Sequence, residues 1–248
     1  MLIDTHAHLN FSVFKDEAEE IIRGCLAEKI WMINVGSQLS TSKRAVRMAE
    51  QYEKGVYAAV GLHPIYAKDD KNFNTSKYRS FCRSPKVVAV GEIGLDYKKE
   101  YLSFKEKQKE VLKEQINLAK ELNLPIIFHC RMAHDDLFKI ISPELKGVIH
   151  CFTGSWPEAE RYLAMGFYLG FNGIIFKINL DEIIQRTPLE RILIETDCPY
   201  LTPPPETGRN QPRHVRRIAE RIAELKNLDY SEVEEATSQN AKDLFRLI

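Results

Sequence analysis

Six side chains that can bind a metal ion stand at the ends of separate short apolar runs. They are His6, His8, Glu92, His129, His150 and Asp197. Imidazole nitrogens and carboxylate oxygens are common protein ligands of zinc, manganese and related divalent ions. A single histidine at a strand end is more often a hydrogen-bonded structural group, but six such placements together predict a metal centre.

The segment 4–8 (DTHAH) carries His6 and His8 two residues apart, directly after the first apolar run. Successive side chains of a strand point to opposite faces, so one strand end can direct both imidazoles at a single ion. By the same rule, a cysteine that follows a candidate ligand points away from it, toward the surrounding helices. We interpret three such residues as packing residues and not as ligands: Cys130, Cys151 and Cys198.

Two further pairs of residues repeat this spacing. Glu195 and Asp197 follow the last apolar run, where Asp197 can take a proton from water and Glu195 can orient Asp197 or a metal ligand from behind. Arg131 lies two residues after His129, and its planar guanidinium is suited to binding phosphate oxygens in pairs. Together with the six ligands, these groups predict hydrolysis of a phosphodiester bond.

Glu92 lies between glycines in the segment 91–97 (GEIGLDY), where a tight backbone around a fixed carboxylate favours a functional role over that of a surface acid. Asp96 in the same segment and His63 in the segment 61–64 (GLHP) are open to two interpretations. Either residue can serve the site, with His63 as a phosphate contact. Either can instead supply the backbone hydrogen bonds that a turn next to proline often requires.

Short apolar runs bounded by turn residues are typical of strands buried on both faces of a parallel sheet. Eight can be counted, with helical patterns in most of the gaps: 2–3, 30–35, 56–60, 87–90, 126–128, 147–149, 167–171 and 192–194. Eight strands alternating with helices in about 250 residues predict an α/β fold, a (β/α)₈ barrel of the TIM type. Catalytic groups of such barrels follow the C-terminal ends of the strands, where the six candidate ligands lie.

Apolar residues at i, i+3, i+4 and i+7 predict helices that cover the sheet, for example over 18–26 and 111–122. The last segment, 231–248, also predicts a helix, with Ser231 as its N-cap and Glu234 completing a capping box. We expect this helix to close the barrel and not to act on substrate.

The chain has 248 residues, of which 44% are hydrophobic, and no linker, repeat or low-complexity block interrupts it. Barrels of this size commonly form one unit, so a single domain over 1–248 is predicted. No segment approaches the ~20 apolar residues that span a bilayer, and the start resembles no leader, so we expect a cytoplasmic protein without membrane contact. Five cysteines without paired spacing fit a reducing compartment.

Six motifs, in their order along the chain, resemble those of the TatD family of metal-dependent deoxyribonucleases, part of the amidohydrolase superfamily of barrels. The motifs are DTHAH (4–8), GLHP (61–64), GEIGLDY (91–97), HCR (129–131), HCFTG (150–154) and ETDCPY (195–200). Their order, spacing and strand positions all agree with the family. The resemblance implies the same fold that the apolar pattern predicts separately.

By this resemblance, two divalent metal ions share Glu92. One ion would bind His6, His8, Glu92 and Asp197, and the other would bind Glu92, His129 and His150. One departure is visible, because the family usually has Arg-Asn-Glu-Pro where this chain has RNQP at 209–212. The missing carboxylate puts in doubt a structural or substrate-positioning role at position 211.

Two ions about 3.5 to 4 Å apart can lower the pKa of a shared water and stabilise both the attacking and the leaving oxygen of a phosphoryl displacement. Four imidazoles favour zinc (Zn), manganese (Mn) or another transition metal, whereas magnesium (Mg) prefers oxygen ligands. Nucleases of the family are commonly supported by magnesium. The sequence therefore does not choose among the three metals.

The charge of the chain bears on a nucleic-acid substrate. Thirty-five basic residues balance 35 acidic ones, so the long-range attraction of strongly basic DNA-binding domains is absent. Cations and aromatic rings after strands can still hold a single strand by phosphate contact and base stacking. The candidates are Lys98, Lys99, Arg131, Arg209 and Arg213, with Tyr66, Tyr97, Phe152, Trp156 and Tyr200. We predict DNA, as a single strand or at 3′ ends, as substrate, with His63, Arg131 and Arg209 as phosphate contacts; no motif indicates a protein partner.

Two other functions stay open at this point. A small-molecule amidohydrolase or esterase would use the same pair of ions to direct water at a carbonyl group, and it would have no need of Arg131. A noncatalytic barrel that binds its metals only for structure would combine tight metal binding with no turnover.

Overall fold

The computed structural model describes residues 1–68 and 73–247. Within them, eight parallel strands form one sheet whose neighbours follow the chain order. The strands are β1 (Leu2–Ala7), β2 (Ile30–Val35), β3 (Val56–Val60), β4 (Val87–Asp96), β5 (Ile126–Arg131), β6 (Gly147–Ile149), β7 (Tyr168–Phe171) and β8 (Ile192–Ile194). All eight predicted runs are strands, and the predicted (β/α)₈ barrel is confirmed.

A helix follows every strand, and a ninth helix ends the described part of the chain. The helices are α1 (Ala18–Ala27), α2 (Leu39–Ala49), α3 (Thr75–Phe81), α4 (Lys105–Leu122), α5 (His134–Phe138), α6 (Trp156–Ala164), α7 (Asp181–Arg186), α8 (Val215–Lys226) and α9 (Tyr230–Phe245). In α1, the buried residues Ala18, Ile21, Ile22 and Cys25 follow the helical spacing that the sequence predicts. No helix among the described residues is long and apolar enough to cross a membrane.

The barrel closes where the first strand meets the last, at a contact that we call the β1/β8 seam. One isolated bridge joins Ala7 to Cys198. The backbone of Asp197 donates to the carbonyl of His6 at 2.8 Å, and that of His8 donates to the carbonyl of Cys198 at 3.0 Å. Three of the six candidate ligands are thus held directly at the seam.

Asp4 strengthens the seam from inside the protein. Its fully buried carboxyl group accepts from the backbone and the hydroxyl of Thr196 at 2.9 and 2.6 Å, and from the backbone of His6 at 3.2 Å. Burial raises the pKa of Asp4 to about 8, although these hydrogen bonds act to lower it. One side chain on β1 therefore holds the segment that carries Asp197.

The interior of the barrel is a separate apolar core, closed at one end by α9. Inward residues of the strands, such as Ile33, Tyr57 and Ile127, pack with Leu244 and Phe245 near the C-terminus. A second core lies between the sheet and the helix layer. The prediction that the last helix closes the barrel is confirmed.

The predicted cap of α9 is wrong. The N-cap is Asp229 and not Ser231, and Glu232 completes the capping box by accepting from the backbone of Asp229 at 2.9 Å. Glu234 instead pairs with the amino group of Met1. Asp and Ser are comparable N-caps, so residue type alone does not decide between two starts that lie two residues apart.

Candidate metal centre

Regular alternation directs the ligands of two strands into the barrel mouth. Ile127 of β5 belongs to the inner core, and His129 follows two residues later on the same face. Val148 of β6 bears the same relation to His150. These placements follow the period of two on which the sequence prediction relied.

Strict alternation would turn His6 and His8 away from the site. Ile3 lies in the inner core, but Ala7, four residues on, lies in the outer core, so the facing reverses within β1. A shift in the pairing of β1 with β2, between Asp4 and Ala7, accounts for the reversal.

β4 contains a similar shift, between Gly91 and Ile93, and Glu92 is the residue that it turns inward. Side chains at the flanking glycines would collide with β5, because a Cβ atom at Gly94 would lie 1.8 Å from the carbonyl oxygen of His129. A Cβ atom at Gly91 would lie 2.7 Å from the Cβ atom of Ile127. The glycines therefore let β4 approach β5 closely enough for Glu92 to meet His129.

Four donor atoms converge where β1, β4 and the end of β8 meet. The Nε2 atom of His6 lies 3.1 Å from His8 Nε2 and 3.5 Å from Glu92 Oε2. Asp197 Oδ1 lies 3.3 Å from His8 Nε2 and 3.8 Å from His6 Nε2. A tetrahedral site with metal–ligand distances of about 2.1 Å has edges of about 3.4 Å, which these separations match.

The hydrogen positions on His8 fit a cation at this point. His8 Nδ1 donates to the carbonyl of Val35 at 2.8 Å, so in the neutral ring Nε2 carries a lone pair that faces the other donors. Burial and the neighbouring His150 lower the pKa of His6, which favours a neutral ring there too. The donor set therefore fits a divalent ion.

A second group of nitrogens surrounds the other oxygen of Glu92. His129 Nδ1 lies 2.9 Å and His150 Nε2 lies 3.2 Å from Glu92 Oε1. Each ring is held from behind by a carboxylate, His129 by Asp96 at 3.1 Å and His150 by Glu195 at 2.9 Å. Carboxylates in this position fix the orientation of metal-binding imidazoles.

The charges of this group are tightly coupled. Burial acts to raise the pKa of Glu92, but His63, His150 and His129 hold it well below its usual range. Burial acts to lower the pKa of His150, but Glu195 and Glu92 raise it well above its usual value. Glu92 is therefore ionised, the form in which a carboxylate binds metal.

His63 faces the same carboxylate, with Nε2 3.4 Å from Glu92 Oε1. Its Nδ1 accepts from the backbone of Ile65 at 3.3 Å, so the neutral ring carries its hydrogen on Nε2. Burial lowers the pKa of His63 and favours this neutral form. His63 lies near enough to Glu92 and His129 to join an ion, but a nitrogen that carries hydrogen donates to an oxygen instead.

His63 and five of the six candidate ligands, all but His6, line a pocket of about 420 Å³. An apolar wall faces them, formed by Phe11, Ile65, Tyr66, Ile174, Tyr200 and Leu201. Arg131 lies on the pocket wall with 56% of its side chain exposed and its Nη1 atom 4.0 Å from Asp96 Oδ2. The pocket thus combines metal-binding groups, two hydrogen-bond donors and flat rings.

Arg209 does not line this pocket. Its Nη1 atom donates to the carbonyl of Val13 at 3.0 Å and to the carboxylate of Glu17 at 3.2 Å, and its guanidinium lies over the ring of Phe14. The position of Arg209 in a loop could not indicate these partners, because Glu17 is almost the whole chain away in sequence. The predicted phosphate contact through Arg209 is therefore not formed by this arrangement.

Other predicted surface contacts also differ from the structure. Among the described aromatic candidates, Tyr66 and Tyr200 line the pocket, whereas Phe152 is buried and Tyr97 donates its hydroxyl to Asp136. Two of the predicted cations lie beside acidic partners instead, Lys98 beside Glu100 and Arg213 beside Glu28.

The cysteine prediction is confirmed for Cys198, whereas Cys130 and Cys151 both also border the pocket. The thiol of Cys130 contacts His134 of α5, and Cys198 lies in the outer core. Cys151 lines the pocket, because β6 ends at Ile149 and the backbone of Cys151 is left-handed (φ 45°), so alternation no longer applies.

Comparison with known proteins agrees with this geometry. A family model described as TatD related DNase matches residues 3–246. YabD of Bacillus subtilis, an uncharacterised metal-dependent hydrolase, is 44% identical over 256 residues, with 100% of both chains covered. The 3′-5′ ssDNA/RNA exonuclease TatD of Erwinia tasmaniensis is 32% identical, with 99% of this chain and 100% of the relative covered. The crystal structure of YjjV, a TatD homologue from Escherichia coli, gives a TM-score of 0.90 at 31% identity and covers 100% of this chain and 98% of that chain.

The fold, the donor sets and these similarities define a metal-dependent hydrolase built on a (β/α)₈ barrel. The chain belongs to the TatD family. The predicted family and hydrolase class are confirmed.

Proposed function

We propose that the protein is a two-metal nuclease that hydrolyses phosphodiester bonds of single-stranded nucleic acid from the 3′ end. The observation that carries the proposal is the pair of donor sets that share Glu92 in one pocket with Arg131. The relatives named as 3′-5′ ssDNA/RNA exonucleases, such as that of Erwinia tasmaniensis, support the substrate and the polarity.

In this proposal His6, His8, Glu92 and Asp197 hold one divalent ion, and Glu92, His129 and His150 hold the other. The separations of 3.1 to 3.8 Å around His6 and His8 support the first set, and the convergence on Glu92 Oε1 supports the second. Bound divalent ions supply Lewis acidity, which makes water a nucleophile near neutral pH and offsets charge on phosphate oxygens. Four imidazoles favour zinc or manganese over magnesium.

Asp197 accepts the proton of the attacking water in this scheme. Burial acts to raise the pKa of Asp197, but His8, His150 and His6 lower it, so the carboxylate is ionised and can accept. Glu195 and Asp96 keep the imidazoles of His150 and His129 in place.

Arg131 and His63 bind the phosphate oxygens of the substrate. Arg131 presents several N–H groups to one side of the pocket, and His63 presents Nε2–H from the same lining. Tyr66 and Tyr200 offer ring faces on which an unpaired base can stack. A pocket of about 420 Å³ suits one nucleotide at a free end, which favours single strands over blunt duplexes.

Metal-stripped protein given a 3′-labelled single-stranded oligonucleotide tests the proposal, with magnesium, manganese or zinc added back. We expect metal-restored release of labelled nucleotides, loss of it in Glu92→Gln, and retention in Glu182→Gln, whose side chain is exposed and pairs with Arg186. Absence of cleavage with every ion, or faster cleavage of the matching blunt duplex, would overturn the nuclease or the strand preference respectively.

Arg131→Ala separates this function from that of an amidohydrolase or esterase with the same metal centre. The substitution should reduce phosphodiester hydrolysis and spare carboxylic ester hydrolysis, because a carbonyl substrate has no phosphate to bind. Lys98→Ala, which removes an exposed cation paired with Glu100, is the matched control. Equal loss of both activities in Arg131→Ala would contradict the assigned phosphate contact.

A further inference from the structure

The segment 209–212 departs from the family pattern at Gln211. The residue before it, Asn210, contacts the turn that carries Asp197. Gln211 is the N-cap of the turn before α8. Asn210 beside it is fully buried and connects α8 to the loop after β8. No step of the proposed reaction uses Asn210.

All four hydrogen-bonding positions of the Asn210 amide are occupied. Its Nδ2 atom donates to the carbonyl of Thr196 at 2.9 Å and to that of Tyr200 at 2.6 Å. Its Oδ1 atom accepts from the backbone of Gln211 and from His214 Nδ1, each at 2.9 Å. The two donations fix the orientation of the amide, since a carbonyl oxygen cannot replace Nδ2 between two acceptors.

The two carbonyl groups lie on either side of Asp197. The turn between them is closed by a hydrogen bond from the backbone of Tyr200 to the carbonyl of Asp197 at 3.0 Å. Asp197 itself is left-handed, with φ 55°, a conformation that is uncommon for residues other than glycine and that Asp adopts more readily than most.

We propose that Asn210 is a positioning residue for the metal centre. Its amide holds the turn 196–200 in the conformation that brings the Asp197 carboxylate to His6 and His8. The proposal rests on the metal-binding role of Asp197 in the proposed function, and it is independent of which substrate the enzyme hydrolyses.

Asn210→Asp is the informative substitution, because it keeps the size of the side chain and replaces the donor with an oxygen that faces two carbonyl groups. Asn240 provides a matched control within α9. It is also buried, and its Nδ2 atom donates to the carbonyls of Leu189 and Ile192 at 2.9 and 2.8 Å, away from the pocket. Asn240→Asp therefore loses the same kind of hydrogen bonds, two donations to carbonyl groups, without affecting the turn of Asp197.

The affinity of metal-stripped protein for zinc, measured by competition with a chromogenic chelator, tests the proposal without any substrate. Both substitutions should lower the unfolding temperature, but only Asn210→Asp should weaken zinc binding, by roughly 10- to 100-fold. The visible absorption of the cobalt-substituted protein should change in the same variant only. Unchanged affinity and spectrum in folded Asn210→Asp, or equal loss in Asn240→Asp, would overturn the proposal.

A double-mutant comparison identifies the route of the effect. If Asn210 acts through Asp197, adding Asn210→Asp to Asp197→Asn should weaken zinc binding little further, whereas independent effects would multiply.

Should Asn210→Asp fail to fold, His214→Ala removes one hydrogen bond to Asn210 Oδ1 and should weaken zinc binding less but in the same direction. No change in folded His214→Ala would then count against the proposal. If the unsubstituted protein binds zinc in a way that depends on Asn210 but cleaves no oligonucleotide with any ion, the proposed function fails and the positioning role of Asn210 stands.

Discussion

Two histidines near Glu92 differ in where they carry hydrogen. His129 Nδ1 lies 2.9 Å from Glu92 Oε1, and its other nitrogen contacts Asp96. His63 is also close to Glu92, but the backbone of Ile65 occupies its Nδ1 and leaves hydrogen on the nitrogen that enters the pocket. Distance to Glu92 alone would make both residues ligands. Their hydrogen bonds distinguish them, because they leave His129 as a ligand and His63 as a hydrogen-bond donor.

His63→Ala should therefore leave zinc affinity unchanged and reduce turnover by about 100-fold, as expected when a donor to a charged phosphate oxygen is removed. Calorimetric zinc titration and single-turnover kinetics on an oligonucleotide measure the two effects separately. His129→Ala is the comparison variant and should lose both. A drop in zinc affinity in His63→Ala that equals the drop in His129→Ala would make His63 a ligand.

The candidate ligands could be predicted from sequence because each is a residue type that binds metal and lies just past an apolar run. Asn210 and Asp4 could not, because their roles depend on partners brought together by the closed barrel. Asp4 meets Thr196 across the seam, and Asn210 meets Tyr200 across a loop. Nothing local to either residue indicates these contacts.

At the scale of elements, β4 and β5 approach one another too closely for a side chain at Gly94. The Cβ atom of an alanine would lie 1.8 Å from the carbonyl oxygen of His129, on a backbone with φ 155°. Gly94→Ala should lower the free energy of unfolding by about 3 kcal/mol. Gly166→Ala is the control, because Gly166 has φ 87° but open space around it, and it should lose only about 1 kcal/mol. Urea denaturation measures the free energy of unfolding of both variants. Equal losses in the two would show that backbone strain, and not the collision with His129, excludes a side chain at position 94.

His134 of α5 gives the stability a dependence on pH. Burial lowers its pKa from 6.5, against the nearby charges of Glu158 and Asp135, and Nδ1 of the ring contacts the hydroxyl of Tyr162 at 2.9 Å. Below pH 6.5 the unfolded chain takes up a proton that the folded protein resists, so stability falls as the pH decreases toward the folded pKa.

Replacement of His134 by glutamine should make the free energy of unfolding of the metal-free protein less dependent on pH between 6.5 and the folded pKa. Above pH 6.5 the difference in stability between the two proteins should be constant. Chemical denaturation across this range measures it. A parallel pH dependence in both proteins would mean that His134 titrates alike in the folded and unfolded states.

The strands were predictable as apolar runs, but β1, β4 and β5 continue past the predicted runs. β4 continues to Asp96, six residues past the predicted run, because glycines and the polar residues Glu92 and Asp96 interrupt the apolar pattern there. The shifts within β1 and β4 were also invisible in the sequence. A count from Ile3 would turn His6 outward, so the predicted ligand set rests on residue type and position and not on strict alternation.

At the scale of the whole molecule, the proposed first ion joins the two ends of the sheet. His6 and His8 belong to β1, and Asp197 follows β8, so an ion between them adds to the hydrogen bonds of the β1/β8 seam. Removal of metal should lower the unfolding temperature by about 5 to 10 °C when the ion is present at about 100 times its dissociation constant. Amide hydrogen exchange should accelerate most in β1 and β8.

Asp197→Ala, which removes one side of that connection, should show a smaller shift on chelation than the parent protein. Differential scanning calorimetry with and without chelator measures both shifts. An unfolding temperature that does not respond to chelation, in protein shown by elemental analysis to bind metal, would mean that the ion does not connect the two strands.

The seam also determines when during synthesis the protein could become active. His6 and His8 leave the ribosome long before Asp197 and before Asn210, which holds the turn of Asp197. The α9 helix that closes the barrel is made after all eight strands. A chain that is cut short, or still growing, lacks one side of the first donor set. In the proposed function, a growing nuclease chain therefore has no complete first donor set until the turn 196–200 has been made.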